Sequence, residues 1–172
     1  MQGSWIAVGL IALALGYWLF RYYRRKSTVA RLYRTPLPEF AVAILNHRVP
    51  LYQLVPEELR ARLQGHINYF LHDKAFVGCN GQEITDEIRL TVAGNACLLV
   101  LNRKETIFPG FTTILVYPDT YIASDVSYDG LVETHGKSVR LGESWQRGPV
   151  VLSWSDIVAG SANPNDGHNV VL

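Results

Sequence analysis

The stretch ITDEIRLTVAGNACLLVLNRKE, residues 84–105, decides how the chain is read. Its Ile-Arg-Leu-Thr-Val segment alternates like a β-strand. Thr85 followed by Asp86 and Glu87, however, is a helix start: a side-chain acceptor, then acids where the helix dipole favours them. The full run is too long for one strand, so it reads as helix from about Thr85 to Asn102. Gly94 costs that helix about 1 kcal/mol relative to Ala, and its apolar second half demands burial. With this segment helical, helices come first and strands later.

Upstream, the sequence predicts a short helix near Glu39–Asn46 and then an extended linker bounded by Pro50 and Pro56. Pro56 suits a first helical position, with Glu57 and Glu58 in the first turn. The following EELRARLQGHINYFLHDKAF puts Leu59, Leu63, Ile67, Phe70 and Leu71 on one helical face. Downstream the period changes to two. TTILVYP, TYIAS, LVETH and GPVVLSW read as strands, with a turn at Asp129-Gly130 between the middle pair. SWSDIVAG reads as a short helix capped by Ser153 or Ser155 and ended by Gly160. In the final NPNDGHNVVL, Asn169 is a good N-cap before an apolar run, so the last residues look like the first turn of another helix.

The N-terminus is a different material. WIAVGLIALALGYWLF, Trp5 to Phe20, carries no charge, and Arg21, Arg24, Arg25, Lys26, Arg31 and Arg34 follow with no acid among them. Sixteen residues at ~1.5 Å each fall short of a ~30 Å hydrocarbon core, but Tyr22 and Tyr23 extend the span into the interface and arginines snorkel outward. A cleaved signal peptide would need its positive charge in front of the apolar run, not behind it. We expect residues 1–23 to be a transmembrane anchor, residues 24–36 a basic juxtamembrane linker and residues 37–172 the folded domain. By the positive-inside rule the N-terminus lies outside a bacterial inner membrane and the domain in the cytoplasm.

The basic block leaves ten basic against fifteen acidic side chains over residues 35–172, a net charge of −5. So acidic a domain is not a nucleic-acid binder. Cys79 and Cys97 stand alone without a CxxC spacing, fitting reduced thiols rather than a zinc site or a disulfide. Cys97 reads as a small buried hydrophobe.

No catalytic constellation is legible in these residues. GxSxG, GxGxxG and the P-loop pattern are absent. The histidines His47, His66, His72, His135 and His168 include no i, i+4 pair and no HExxH. His66 and His72 are six apart, so one helical face cannot present both to a metal. They read as packing or surface histidines.

The order of several unusual stretches nevertheless resembles one family, the Mlc titration factor A-like zinc-dependent peptidases. The resemblance runs from about Leu37 to Leu172 and is carried by FLHDKAFVG, ITDEIRLTVAGNACLLVL, GFTTILVYPDTYI, GESWQRGPVVLSWSDIVAG and NPNDGHNVVL. It implies an α+β fold: a transmembrane helix, then the first part of a zincin-like (gluzincin) domain with helices first and a mixed β-sheet after. In that family an HEFAH-type motif begins directly after the position of Leu172, so we expect the zinc ligands to lie beyond this chain and the chain alone to be inactive. HExxH places two histidines on one helical face around the metal, while its Glu polarises the attacking water. His168 precedes that helix and is not expected to be a ligand. Zinc is accordingly implied for the intact protein and for no residue here.

The resemblance also places Gly148, Pro149, Val150, Val151, Leu152, Ser153 and Trp154 beside the cleft, where an edge strand could align an extended peptide or protein substrate through its main chain. The competing reading is that Val150, Leu152 and Trp154 simply alternate into the core. A transcriptional repressor of sugar uptake is a further partner that the resemblance implies. With a terminal helix of one turn and apolar sheet surface left uncovered, residues 27–172 alone are expected to be marginally folded.

Overall fold

No proline occurs before Pro36, and residues Gln2–Arg34 form one unbroken helix, α1. It ends where Thr35 precedes Pro36, because a residue before proline is pushed out of the helical region. The computed structural model describes residues 2–102, 108–119, 121–129, 132–140, 142–144 and 148–162, with the side chains of 10–102, 108–119 and 148–161. The basic segment, expected as a linker, is therefore helix through Arg34. From Leu10 to Tyr23 the large apolar and aromatic side chains of α1 are exposed. Among the described residues no helix is long and apolar enough to cross a membrane.

Three helices follow: α2 (Glu39–Arg48), α3 (Pro50–Gln53) and α4 (Glu57–Asp73). The stretch between Pro50 and Pro56 is thus not wholly extended. Pro50 starts a single turn, as its fixed φ and missing N–H allow. Pro56 sits one position before the first residue of α4, with φ −53° and ψ 146°. The predicted apolar face of α4 is the buried one: Leu63, Ile67 and Phe70 are almost fully enclosed, and Leu59 and Leu71 flank them.

The expected order of helices first and sheet after holds apart from one short strand that precedes the long central helix. β1 (Ala75–Gly78) leads through a turn with Asn80 at φ 52° and Gly81 at φ 79° into α5 (Asp86–Leu99) and then β2 (Thr113–Tyr117). β1 and β2 are parallel, so α5 is the crossover between them, and its Ile88 and Val92 share one core cluster with Ile114 and Val116 of β2. Thr85 is the N-cap, its Oγ1 accepting from the Ile88 N–H at 3.3 Å. Gly94 is needed for close packing: a Cβ there would lie 2.6 Å from Leu45 Cδ2 on α2. Helix α5 stops at Leu99, short of the expected Asn102.

A hairpin, β3 (Tyr121–Asp129) and β4 (Val132–Arg140), pairs antiparallel from Tyr121–Arg140 to Asp129–Val132. It forms a separate two-stranded sheet. Then come β5 (Gly142–Ser144), β6 (Val150–Ser153) and α6 (Trp154–Ala162), the last running two residues past Gly160. The main sheet has the order β1-β2-β6-β5, with β6 parallel to β2 and antiparallel to β5. It is mixed, as expected. Residue 130 of the predicted turn and residues 163–172, with His168 and the helix start at Asn169, lie outside the described residues.

Helix α1 is docked on the domain. Val29, Leu32 and Tyr33 pack against the core, and Asn68 Nδ2 on α4 donates to the carbonyls of Leu32 and Thr35 at 3.2 and 2.7 Å. The Tyr33 ring stands edge-to-face with His66, centroids 5.3 Å apart. Gly65 makes the approach possible, since a Cβ there would meet Tyr33 Cδ1 at 2.8 Å and Tyr33 Cα at 3.0 Å.

Candidate functional site

A shallow cavity lies at the start of β2 and just before β6. Its walls are the loop Pro109-Gly110-Phe111, Thr113 and Leu115 of β2, and Gly148-Pro149 just before β6, and its volume is about 340 Å³. Among the described residues no titratable side chain lines it. Those residues can take an apolar side chain or main-chain groups of a ligand. Among the described residues no group of three potential metal ligands comes together.

One buried cation holds the cavity wall in place. The Lys74 side chain is 1% exposed and its Nζ donates to the carbonyls of Phe108 and Phe111 at 2.7 and 2.6 Å, while pairing with Asp73 Oδ2 at 2.9 Å. The ammonium also lies 4.7 Å from the centre of the Phe111 ring. A buried charge survives only when paired and hydrogen-bonded, and here two main-chain carbonyls of one loop complete its coordination. Phe108 adopts φ 51°, a conformation unfavourable for an aromatic residue, and its carbonyl is one of the two that Lys74 holds. The Ala75 N–H donates to the Thr112 carbonyl at 2.8 Å, tying the same loop to β1. Nothing in the sequence around Lys74 signals this role, because its partners are more than thirty residues away.

The seven predicted groove residues are divided by the fold. Gly148 and Pro149 line the cavity. Val150, Leu152 and Trp154 pack with the helical core, as the competing reading had it. Val151 is buried on the opposite face, in register with Leu115 and, through it, with Val77 of β1. Ser153 is 1% exposed and caps α6: its Oγ accepts from the Asp156 N–H at 3.3 Å. The expectation that this strand is an edge is corrected. β6 is paired on both sides, Val150–Ser153 to β2 and Val150–Leu152 to β5. Its main-chain groups are spent within the sheet, and the outer strand on that side is β5.

None of the described histidine and cysteine side chains lines this cavity. His66 is buried under α1, its Nδ1 3.0 Å from the Tyr33 hydroxyl and its Nε2 without a hydrogen-bond partner among the described residues. Burial, then the neighbouring Arg62 guanidinium, pulls its pKa down. His72 is exposed. Both cysteines are free. Cys97 is fully enclosed, and burial pushes its thiol far above the usual range, as expected of a small hydrophobe.

This arrangement of helices and mixed sheet coincides with a family match. The model of the glucose-regulated metallopeptidases M90 matches residues 20–172. The chain belongs to the M90 metallopeptidase family. Its relatives include an uncharacterized Synechocystis protein, slr2042, 39% identical over 169 residues, which is 97% of this chain and 60% of that protein. Mlc titration factor A of Klebsiella pneumoniae is 35% identical over 118 residues, 68% of this chain and 42% of the factor. The Escherichia coli factor is 33% identical over 110 residues, 63% of this chain and 42% of the factor. This M90 chain thus spans about half the length of the curated relatives it matches. The Mlc titration factor A likeness expected from the sequence is confirmed.

Proposed function

We propose that this chain is the scaffold half of a zinc-dependent peptidase. In the whole protein, zinc-activated water would hydrolyse a peptide bond, with metal ligands supplied by residues other than those described above. The observation that carries the reading is the M90 match from residue 20 to residue 172, together with a cavity at the start of β2 and just before β6. Its described lining of glycine, proline, threonine and apolar side chains suits the binding of a peptide. In this reading Gly148 and Pro149 touch substrate, and the outer strand β5 offers the main-chain edge that β6 lacks. Zinc is the cofactor. Its binding is assigned to the whole protein, since a zinc site needs three or four converging donors.

The exposed apolar side chains between Leu10 and Phe20, followed by the arginines of α1, favour attachment to a bilayer through residues 5–23. The domain then faces the bacterial cytoplasm. A protein-binding role without proteolysis, for example toward a transcriptional repressor, is the second reading. It is favoured by the name of these relatives, Mlc titration factor A.

The test is a peptidase assay on a protein of the relatives' full length that contains residues 1–172. Chelator-sensitive hydrolysis, restored by zinc, is the expected result. A full-length, folded protein that binds zinc and cleaves no peptide would overturn the enzymatic reading in favour of the binding one.

A further inference from the structure

Helix α1 carries six cations and no acid between Arg21 and Arg34. No acidic side chain precedes Glu39. The ion pairs found among the described residues, Arg48–Glu87 and Lys74–Asp73, involve none of the six cations between Arg21 and Arg34. Arg21, Arg25, Thr28 and Leu32 recur at i, i+4, i+7 and i+11, one stripe of the helix. That stripe leads directly into Val29, Leu32 and Tyr33, which pack on the domain. Aromatic rings are interleaved with the cations: Trp18 stacks on Tyr22 at 5.9 Å, and the Arg24 guanidinium lies 5.6 Å from the Phe20 ring centre. Tyr17, Trp18, Arg21, Arg24, Arg25 and Thr28 border an open concavity of about 660 Å³.

Three features identify what this collar would hold. Guanidinium forks and a hydroxyl match the oxygens of a phosphate. Tryptophan and tyrosine prefer the boundary between hydrocarbon and water. The exposed side chains immediately N-terminal, including Leu10, Ile11, Leu13 and Leu15, belong in hydrocarbon. A phosphate at the surface of a hydrocarbon layer is a phospholipid headgroup. We propose that the collar from Tyr17 to Thr28 is a binding site for anionic phospholipid headgroups, and that it orients the domain at the bilayer. This rests on the bilayer attachment of α1 proposed above. In the unbroken helix α1 the first docked residue, Val29, lies nine positions after Phe20. At ~1.5 Å per residue the domain would be held about 14 Å from the hydrocarbon edge.

Vesicle flotation of the 172-residue chain tests the site. Neutral phosphatidylcholine vesicles are compared with vesicles containing phosphatidylglycerol. The chain binds both, with at least about tenfold preference for the anionic vesicles, and high salt removes the preference. The R21Q/R24Q/R25Q/K26Q variant binds neutral vesicles as the unmodified chain does and loses the preference. If the unmodified chain binds both vesicle types equally, the headgroup site is overturned and the anchor stands. If it binds neither, both are overturned.

Discussion

The Tyr33 hydroxyl lies 3.0 Å from Nδ1 of His66, and this contact joins the N-terminal helix α1 to helix α4 of the domain. Beneath it Gly65 leaves room for the Tyr33 ring and backbone. The junction is therefore a fitted interface whose parts can be changed one at a time.

Gly65→Ala should loosen that junction. The new methyl would meet the Tyr33 backbone as well as its ring, so rotation of a flexible side chain does not relieve the clash. Overpacking of this kind costs about 1–3 kcal/mol, larger than the ~1 kcal/mol that alanine gains over glycine in a helix. Urea denaturation should show a net loss of stability, and hydrogen exchange should rise over residues 29–35.

The junction should also respond to pH. The folded pKa of His66 is depressed by burial and by Arg62, so below the unfolded value of about 6.5 the unfolded chain binds the extra proton. This contribution to stability is full above pH ~6.5 and is lost as pH falls toward the folded pKa. Thermal unfolding should weaken between pH 7.5 and 5.5, and His66→Gln should flatten that slope. An unchanged slope in the variant would assign the effect to other groups.

Lys74→Met should cost about 3 kcal/mol, because it leaves two buried carbonyls and the Asp73 carboxylate without their cation. The effect should be local as well as global. Amide exchange at Phe111–Thr113 should rise more than at Ile88–Cys97, since the ammonium holds the loop and not the centre of α5.

Thiol reactivity should separate the two cysteines. Cys79 is partly exposed in a turn, while Cys97 is enclosed with its thiol pKa pushed up by burial. The thiolate is the nucleophile, and an enclosed thiol with a raised pKa rarely forms it and is hard to reach. Native protein should therefore release one equivalent of chromophore from a disulfide reagent, and unfolded protein two.

Local signals explain which parts of this fold were legible in the sequence. Thr85 with Asp86 and Glu87 announced α5, and the face of α4 followed from the spacing of Leu63, Ile67 and Phe70. Strand β1 was not visible because four residues directly behind a helix are too few to show a period of two. That α1 continues through residues 24–34 was not read from the sequence, where the change from apolar to basic residues set the expected boundary after Tyr23. Arginine and lysine are good helix formers, and nothing there breaks the helix. The status of β6 as an inner strand depends on β5, a three-residue strand without a signature. Lys74 shows the limit most clearly. Its importance lies in the carbonyls of Phe108 and Phe111, and backbone groups leave no mark on sequence. The family resemblance supplied what spacing did not, but it could not divide Gly148–Trp154 into cavity lining, core and cap.

The central claim is that these residues form a platform for a metal site whose ligands lie elsewhere in the protein. Zinc stoichiometry of the purified 172-residue chain, after equilibration with zinc and gel filtration, tests it most directly. The account predicts far less than one zinc per chain and no peptide hydrolysis. One tightly held zinc per chain, with chelator-sensitive proteolysis, would contradict it.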